Sequence, residues 1–412
     1  MEYGGSDMPS TRRRFLGTAL GTPAFLAMSP VAPPFLVRAA RAAGANDRRD
    51  TVLVVLQLTG GNDGLNSVVP AEDDAYGRAR KTLRLAPEEV LPIADGLGFH
   101  PALKGFDRLR KEGRLGVVQG VGYPNSDRDH GGAMRDWHTA QPDAPRCPTG
   151  WVGRFSDAAG EDAAGPTAAF LGSIATPFSL HARAGVVPSL RTARDLVLRA
   201  APGPAEPDPA ASGPLAEHAA RARRDALSMS RRLEETLARR DRGSRGYPDS
   251  GLAADLRAVA DLVLADAGVR IACVELGGGG IGGFDNHAGQ KENHAALLAQ
   301  LGDAVAAFAD DLARERILDR VALITFSEFG RTLTENGRRG TGHGAAQPMF
   351  LVGGRVRAGL IGKHPSLDDL DQDAQKPHTD FRQVYAALLD RWLGVASEPV
   401  LGARHAPVDL FV

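Results

Sequence analysis

Short polar clusters recur in this 412-residue chain, each beside an apolar, strand-like run. Gly60-Gly61-Asn62-Asp63-Gly64 follows Val52 to Leu58, and Ser327-Glu328-Phe329-Gly330-Arg331 follows Val321 to Phe326. Phe284-Asp285-Asn286-His287 follows Ile271 to Leu276 and a glycine run, and His343-Gly344 precedes Met349 to Val352. A carboxylate with an imidazole suits zinc or another first-row metal. Ligands in open α/β sheets bind beyond the carboxyl ends of the strands. The clusters therefore predict one convergent polar site for a metal or an anion.

Each cluster also has a plainer reading. Gly61-Asn62-Asp63-Gly64 is either a turn, since Asn, Asp and Gly suit positive φ, or a metal ligand at Asp63 with Asn62 against a substrate oxyanion. Asp285 and His287 either ligate a metal or start a helix, with Asp285 as its cap. Glu328 at a strand end must be solvated, paired or ligating. Arg331 either binds an anion bidentately or pairs with Glu328. Gly340-Thr341-Gly342-His343-Gly344 either brings His343 to a metal or forms a surface loop. Ser126 reads as the cap of a helix holding Met134 and Trp137 rather than as a nucleophile. His130, at that helix's start, is a candidate for acid–base work, and Arg128 for substrate contact. His138 and His294 read as structural.

The elements that must position these groups alternate between strand and helix. Strands are expected at Val52 to Leu58, Leu115 to Val121, Ile271 to Leu276, Val321 to Phe326 and Met349 to Val352. A helical stretch lies near Pro101 to Glu112. His287, Lys291, His294, Leu298, Leu301, Val305, Phe308 and Leu312 fall on one stripe of a long helix, apolar toward its C-terminal end. Such alternation favours a largely parallel sheet covered on both faces. Residues 151–200 carry few periodic signals. Five prolines between Ala201 and Pro214 mark a loop or linker, and Leu215 to Arg240 reads as a mostly exposed helix. The expected organisation is a leader over 1–45 and one domain over 46–412, with the proline-rich loop and helical insertion near 200–245.

The leader has a twin-arginine pattern, Thr11-Arg12-Arg13-Arg14-Phe15-Leu16, then a mildly apolar stretch and small residues around Ala39 to Ala45. Four prolines between Pro23 and Pro34 argue against a permanent membrane span. The chain is thus expected to meet the twin-arginine translocase and to act in the periplasm or outside the cell. A net charge of -1 favours neither nucleic acid nor an anionic membrane as partner. The two cysteines, Cys147 and Cys273, form no Cys-x-x-Cys pair and are expected as free thiols. Cys-x-Pro-x-Arg, Gly-Asp-Ser and Gly-x-Ser-x-Gly are all absent, which argues against a formylglycine sulfatase, an SGNH esterase and a nucleophile-elbow hydrolase.

Five segments together resemble the DUF1501 family of exported bacterial proteins, related to the alkaline phosphatase and sulfatase superfamily. They are Leu58-Thr59-Gly60-Gly61-Asn62-Asp63-Gly64-Leu65-Asn66, Gln119-Gly120-Val121-Gly122-Tyr123-Pro124-Asn125, Phe284-Asp285-Asn286-His287, Thr325-Phe326-Ser327-Glu328-Phe329-Gly330-Arg331 and Asp380-Phe381-Arg382-Gln383-Val384-Tyr385. The resemblance implies an alkaline-phosphatase-like α/β/α sandwich with a mostly parallel central sheet and metal ligands at its strand ends. By position, Asp63 resembles the first-strand metal aspartate, and Asp285 with His287 the Asp/His pair before a long helix. Glu328 stands where the superfamily often has Asp-His, and His343 resembles the last metal histidine. These five residues would hold a divalent ion, with zinc, manganese and calcium as candidates. Arg331 and Asn62 would steady the anion of a small-molecule or glycan ester, and His130 would protonate its leaving group. Two positions depart from the family: Gly342 stands where Asp is usual, and Arg128-Asp129-His130 where Arg-Ser-His is common. The second removes a hydroxyl nucleophile, leaving Asp129, a water, or no catalysis.

Overall fold

The run Val52–Leu58 forms strand β1, and all seven of its residues are buried. Full burial needs cover on both faces. Val52, Val54, Leu56 and Leu58 point into one core, and Leu53 and Val55 into another. A computed structural model describes residues 51–94, 96–158, 167–172, 175–183, 187–197, 214–240, 246–277 and 283–412. The expected leader and the proline-rich loop up to residue 213 lie outside the described residues.

Besides β1 and five short strands in two small separate sheets, the strands are β2 (Leu115–Gly122), β3 (Thr167–Leu171), β4 (Ser189–Leu190), β5 (Val269–Leu276), β6 (Val321–Phe326), β7 (Arg331–Glu335), β8 (Thr341–His343), β9 (Gln347–Gly353), β10 (Gly359–Ile361) and β11 (Thr379–Asp380). The main sheet runs β10-β2-β9-β6-β1-β5-β3-β4, and β11 also pairs with β2. Its pairings are parallel except those of β9, which is antiparallel to both β2 and β6. β7 and β8 form a separate antiparallel hairpin. The mostly parallel α/β sandwich expected from the sequence is therefore present. The short strands β3 and β4 fall where the sequence carried few periodic signals.

Helices α1 (Lys104–Lys111), α4 (Gly251–Leu264) and α5 (Gln290–Arg314) cover one face, through Phe106, Leu256 and Leu301 among others. Helices α2 (His130–Thr139) and α6 (Phe381–Ala387) cover the other, where Trp137 stacks on Phe381. Helix α3 (Pro214–Arg240) joins the first face by burying Met229, Leu233 and Leu237, so its second half is not the mostly exposed helix expected. Buried Arg240 at its end pairs with Asp261 and Asp311.

Two expectations change at the helix starts. The buried stripe of α5 begins at Gln290 rather than Lys291, which is exposed, and His287 lies in the loop before the helix. Asp129, not Ser126, caps α2 by accepting from the Gly131 amide at 3.1 Å. Asp129 thus spends one carboxylate oxygen, Oδ2, on the cap.

Gly105 lets α1 press backbone to backbone on α5, since a Cβ there would lie 2.3 Å from the Gly302 carbonyl oxygen. Gly105→Ala should lower stability by about 1–3 kcal/mol through overpacking. Urea unfolding would show it as a reduced midpoint at unchanged slope.

Candidate metal centre

Four loops meet beyond the carboxyl ends of β1, β2, β5 and β6, the position expected for a ligand site. The loop after β1 turns sharply at Gly60 and Gly61, with φ of +113° and +79°. A Cβ on Gly60 would sit 2.5 Å from the Asp285 amide nitrogen, and one on Gly61 would strike the Phe329 ring. Only glycine allows this approach. The amide of Gly60 donates to Glu328 Oε1 at 2.9 Å and that of Asn62 to Ser327 Oγ at 2.9 Å.

Arg331 joins three of the loops. Its Nε donates to the Gly61 carbonyl at 2.7 Å, and its Nη2 to the carbonyls of Gly60 and Phe284 and to Asp285 Oδ1 at 2.7 Å. The side chain is fully buried. Arg331 is therefore spent on the scaffold, neither offered to an ester anion nor paired with Glu328.

Around Asp285 three imidazoles converge. Asp285 Oδ1 lies 3.0 Å from His287 Nε2 and 3.4 Å from both His130 Nε2 and His343 Nε2. The two Nε2 atoms of His287 and His343 are 2.9 Å apart. One ligand atom each from His130, Asp285 and His343 falls within a 4.8 Å span. The outer nitrogens set the tautomers. His287 Nδ1 donates to the Thr341 carbonyl at 2.8 Å, and His343 Nδ1 to the Arg128 carbonyl at 2.6 Å. A carbonyl only accepts, so both hydrogens sit on Nδ1. His130 Nδ1 lies 2.9 Å from Glu328 Oε1, a carboxylate that likewise accepts. In the neutral rings all three Nε2 atoms then bear lone pairs that face Asp285, and those of His287 and His343 also face each other. Bare lone pairs at 2.9 Å repel, so the arrangement calls for a proton or a cation between them.

The spacing fits a cation. Bonds of about 2.0–2.1 Å in a tetrahedral zinc site put ligand atoms about 3.3 Å apart. Outer acceptors that orient metal-binding imidazoles are the usual companions of such a site. The bond that His130 donates to Glu328 raises the His130 pKa, which favours a proton there, whereas burial lowers that of His343, which favours a neutral ring. Burial alone would raise the Asp285 carboxyl, but the Arg331 hydrogen bond and charge bring it below the usual range.

The other candidate residues stand elsewhere. Asp63 is buried and grips Arg80 through two bonds, of 2.5 Å and 2.9 Å, and accepts from Gln290. Burial would raise its pKa, yet Arg80 holds it low. It braces the loop rather than joining the cluster. Glu328 is an outer partner of His130. Asn62 is buried, with Oδ1 3.0 Å from His294 Nε2, while its Nδ2 has no hydrogen-bond partner among the described residues. His294 and His138 are buried structural histidines, each pushed down to about 3 by burial. The Arg128 guanidinium pairs with Asp371 at 2.7 Å. Both cysteines are free, as expected. Arg80 went unnoticed because Arg78-Ala79-Arg80-Lys81 reads as a solvated basic run. The carbonyls of Thr341 and Arg128 are backbone atoms and leave no mark in residue type.

The fold and this centre define an α/β protein with a candidate metal site at the carboxyl edge of a mostly parallel sheet. The chain belongs to the DUF1501 family, described as a protein of unknown function, whose model matches residues 50–401. No curated protein matches it. Among solved structures it is similar to the lipoteichoic acid synthase LtaP from Listeria monocytogenes, at 8% identity over 78% of this chain and 72% of that one, with a TM-score of 0.37. It is also similar to the C-terminal periplasmic domain of EcEptC from Escherichia coli in complex with zinc, at 13% identity over 76% and 74%, with a TM-score of 0.34. A third is a protein in the alkaline phosphatase superfamily from Vibrio parahaemolyticus, at 11% identity over 90% and 77%, with a TM-score of 0.34.

Arg80→Ala should destabilise the fold by about 3–5 kcal/mol by leaving Asp63 charged and buried without its partner. Adding Asp63→Asn should recover part of the loss, read by chemical denaturation. Metal affinity should weaken as pH falls, starting above about pH 6.5, because a raised pKa keeps the proton on His130 to higher pH. Glu328→Gln removes the cause of that raised pKa and should move the onset to lower pH. A chelator-competition titration between about pH 5.5 and 8 would test this.

Proposed function

We propose that the protein is an exported, metal-dependent hydrolase of phosphate or sulfate esters, with a small-molecule or glycan substrate. One observation carries the reading: three imidazoles give their Nδ1 hydrogens to outer acceptors and turn three lone pairs on one carboxylate. His130, Asp285 and His343 would hold the ion, with His287, beside Asp285 and His343 but outside that mutually close group, as a fourth donor. Three nitrogen donors suit zinc or manganese, whereas calcium takes oxygen ligands. Once bound, the ion supplies a Lewis acid for an ester oxygen and a water acidic enough to attack near neutral pH.

The chain's own residues do the rest. Glu328 fixes the His130 ring with its Nδ1 protonated, and Arg331 fixes Asp285 against three loops. With its Nε2 3.4 Å from Asp285 Oδ1, His130 would serve as a ligand rather than as the acid expected for a leaving group. The nearby hydroxyls of Ser327 and Thr341 bond to Leu58 O and Gln290 Oε1. The attacking oxygen would therefore come from water rather than a side chain. Export is supported by the twin-arginine pattern, and among the described residues no helix is long and apolar enough to cross a membrane.

A second reading, a non-catalytic periplasmic binding or assembly protein, is favoured by the engagement of Arg331 and Asn62 within the scaffold. Protein purified without chelators should carry about one equivalent of zinc or manganese by elemental analysis, lost in His287→Ala and His343→Ala. It should also cleave aryl phosphate or sulfate esters faster than His343→Ala does. Folded protein free of metal would sink the hydrolase reading; metal without turnover across the ester panel would transfer the case to binding.

A further inference from the structure

We propose that Arg128 recognises the anionic oxygens of the ligand and that Asp371 holds it aside until a ligand arrives, an electrostatic latch at the rim of the centre. The proposal rests on the reading of that centre as a site for an oxyanion ester. Arg128 borders the cluster through its own backbone, since its carbonyl accepts from His343 Nδ1 at 2.6 Å. Its guanidinium is only partly used. Nη2 donates to Asp371 Oδ2 at 2.7 Å and to the Asp371 carbonyl at 3.1 Å, while Nε and Nη1 have no partner among the described residues. Arg80 and Arg331, two other arginines whose guanidinium groups touch these loops, are fully buried and engaged.

The opposing carboxylate is held in place by its turn. Asp371 belongs to a small hairpin, Leu370–Asp371 against Ala374–Gln375. The two residues between, Gln372 and Asp373, both have positive φ, of 47° and 65°. Consecutive non-glycine residues in that region are strained and persist only where their surroundings impose them. Here Asp373 supplies the hold: its carboxylate accepts from the Thr334 amide and hydroxyl, and its carbonyl from the Leu333 amide. Both partners lie on β7, the strand that begins at Arg331. One strand thus positions the metal-centre loops and the carboxylate that occupies Arg128.

Such a latch opens easily. Asp371 is 60% exposed and Arg128 22% exposed, and ion pairs in that setting are weak. A phosphate or sulfate group presents several oxygens to the free N–H groups and can take the guanidinium bidentately.

The test is calorimetric binding of inorganic phosphate to the full mature chain, with metal content measured on every sample. Asp371→Asn should bind phosphate about two- to fivefold more tightly than the parent. Arg128→Gln should bind it about tenfold more weakly, with Arg128→Lys in between, because lysine keeps the charge without the fork. The double variant should match Arg128→Gln alone, since Asp371 acts only through Arg128 as a positioning residue. Parental affinity in Arg128→Gln, or no gain in Asp371→Asn, would overturn the latch. A parent that holds metal yet binds no phosphate overturns it too and leaves the metal centre standing. A parent without metal overturns the hydrolase reading, whereas phosphate binding that still follows Arg128 and Asp371 would uphold the latch. A parent with neither overturns both.

Discussion

One buried guanidinium sets the geometry of the centre. Arg331 has no solvent, so each N–H it directs inward needs a protein acceptor. It finds them in the carbonyls of Gly60, Gly61 and Phe284 and in the Asp285 carboxylate. Those groups belong to the loops after β1 and β5, and Arg331 itself follows β6. Three strand ends that share no local sequence are thereby tied at one point. Asp285 is the pivot, because the same oxygen that receives Arg331 faces the three imidazoles.

The imidazoles are organised from outside. A histidine ring presents either nitrogen, and only its environment decides which one carries the hydrogen. Two backbone carbonyls and one carboxylate take the Nδ1 hydrogens, leaving Nε2 as the inward atom in each ring. Inward lone pairs beside a carboxylate repel unless a proton or a cation lies between them, which is why the set reads as a ligand set and not as ordinary packing. Near it, Asp63 and Arg80 neutralise each other in the interior and brace the first loop without joining the cluster. Two carboxylates of similar sequence context thus take opposite parts: Asp285 is partly exposed and faces the imidazoles, and Asp63 is buried and paired.

Much of this was legible in the sequence. The five apolar runs became strands of the main sheet, and four of the polar clusters at their ends meet in the candidate centre, because burial on both faces requires continuous apolar strands and pushes polar groups to their ends. Asp285, His287 and His343 were also legible as candidates, by type and placement. Less legible were the roles of Asp63, Glu328 and Arg331. A carboxylate or guanidinium at a strand end has several satisfactory partners, and residue type does not say which lies within 3 Å.

The sequence by itself determined the alternation of strands and helices, the glycines that permit the tight loop at Gly60 and Gly61, and the supply of histidine and carboxylate at the strand ends. Tertiary structure alone decided which of those groups meet. Arg80 reaches Asp63 across 17 positions and Arg331 reaches Gly60 across 271. Hydrogen-bond partnership depends on distances of a few ångströms, fixed by sheet order and loop packing, and no local pattern encodes them. The inward turn of three Nε2 atoms depends on backbone carbonyls that every residue possesses, so only the folded chain could select Thr341 and Arg128 to provide them.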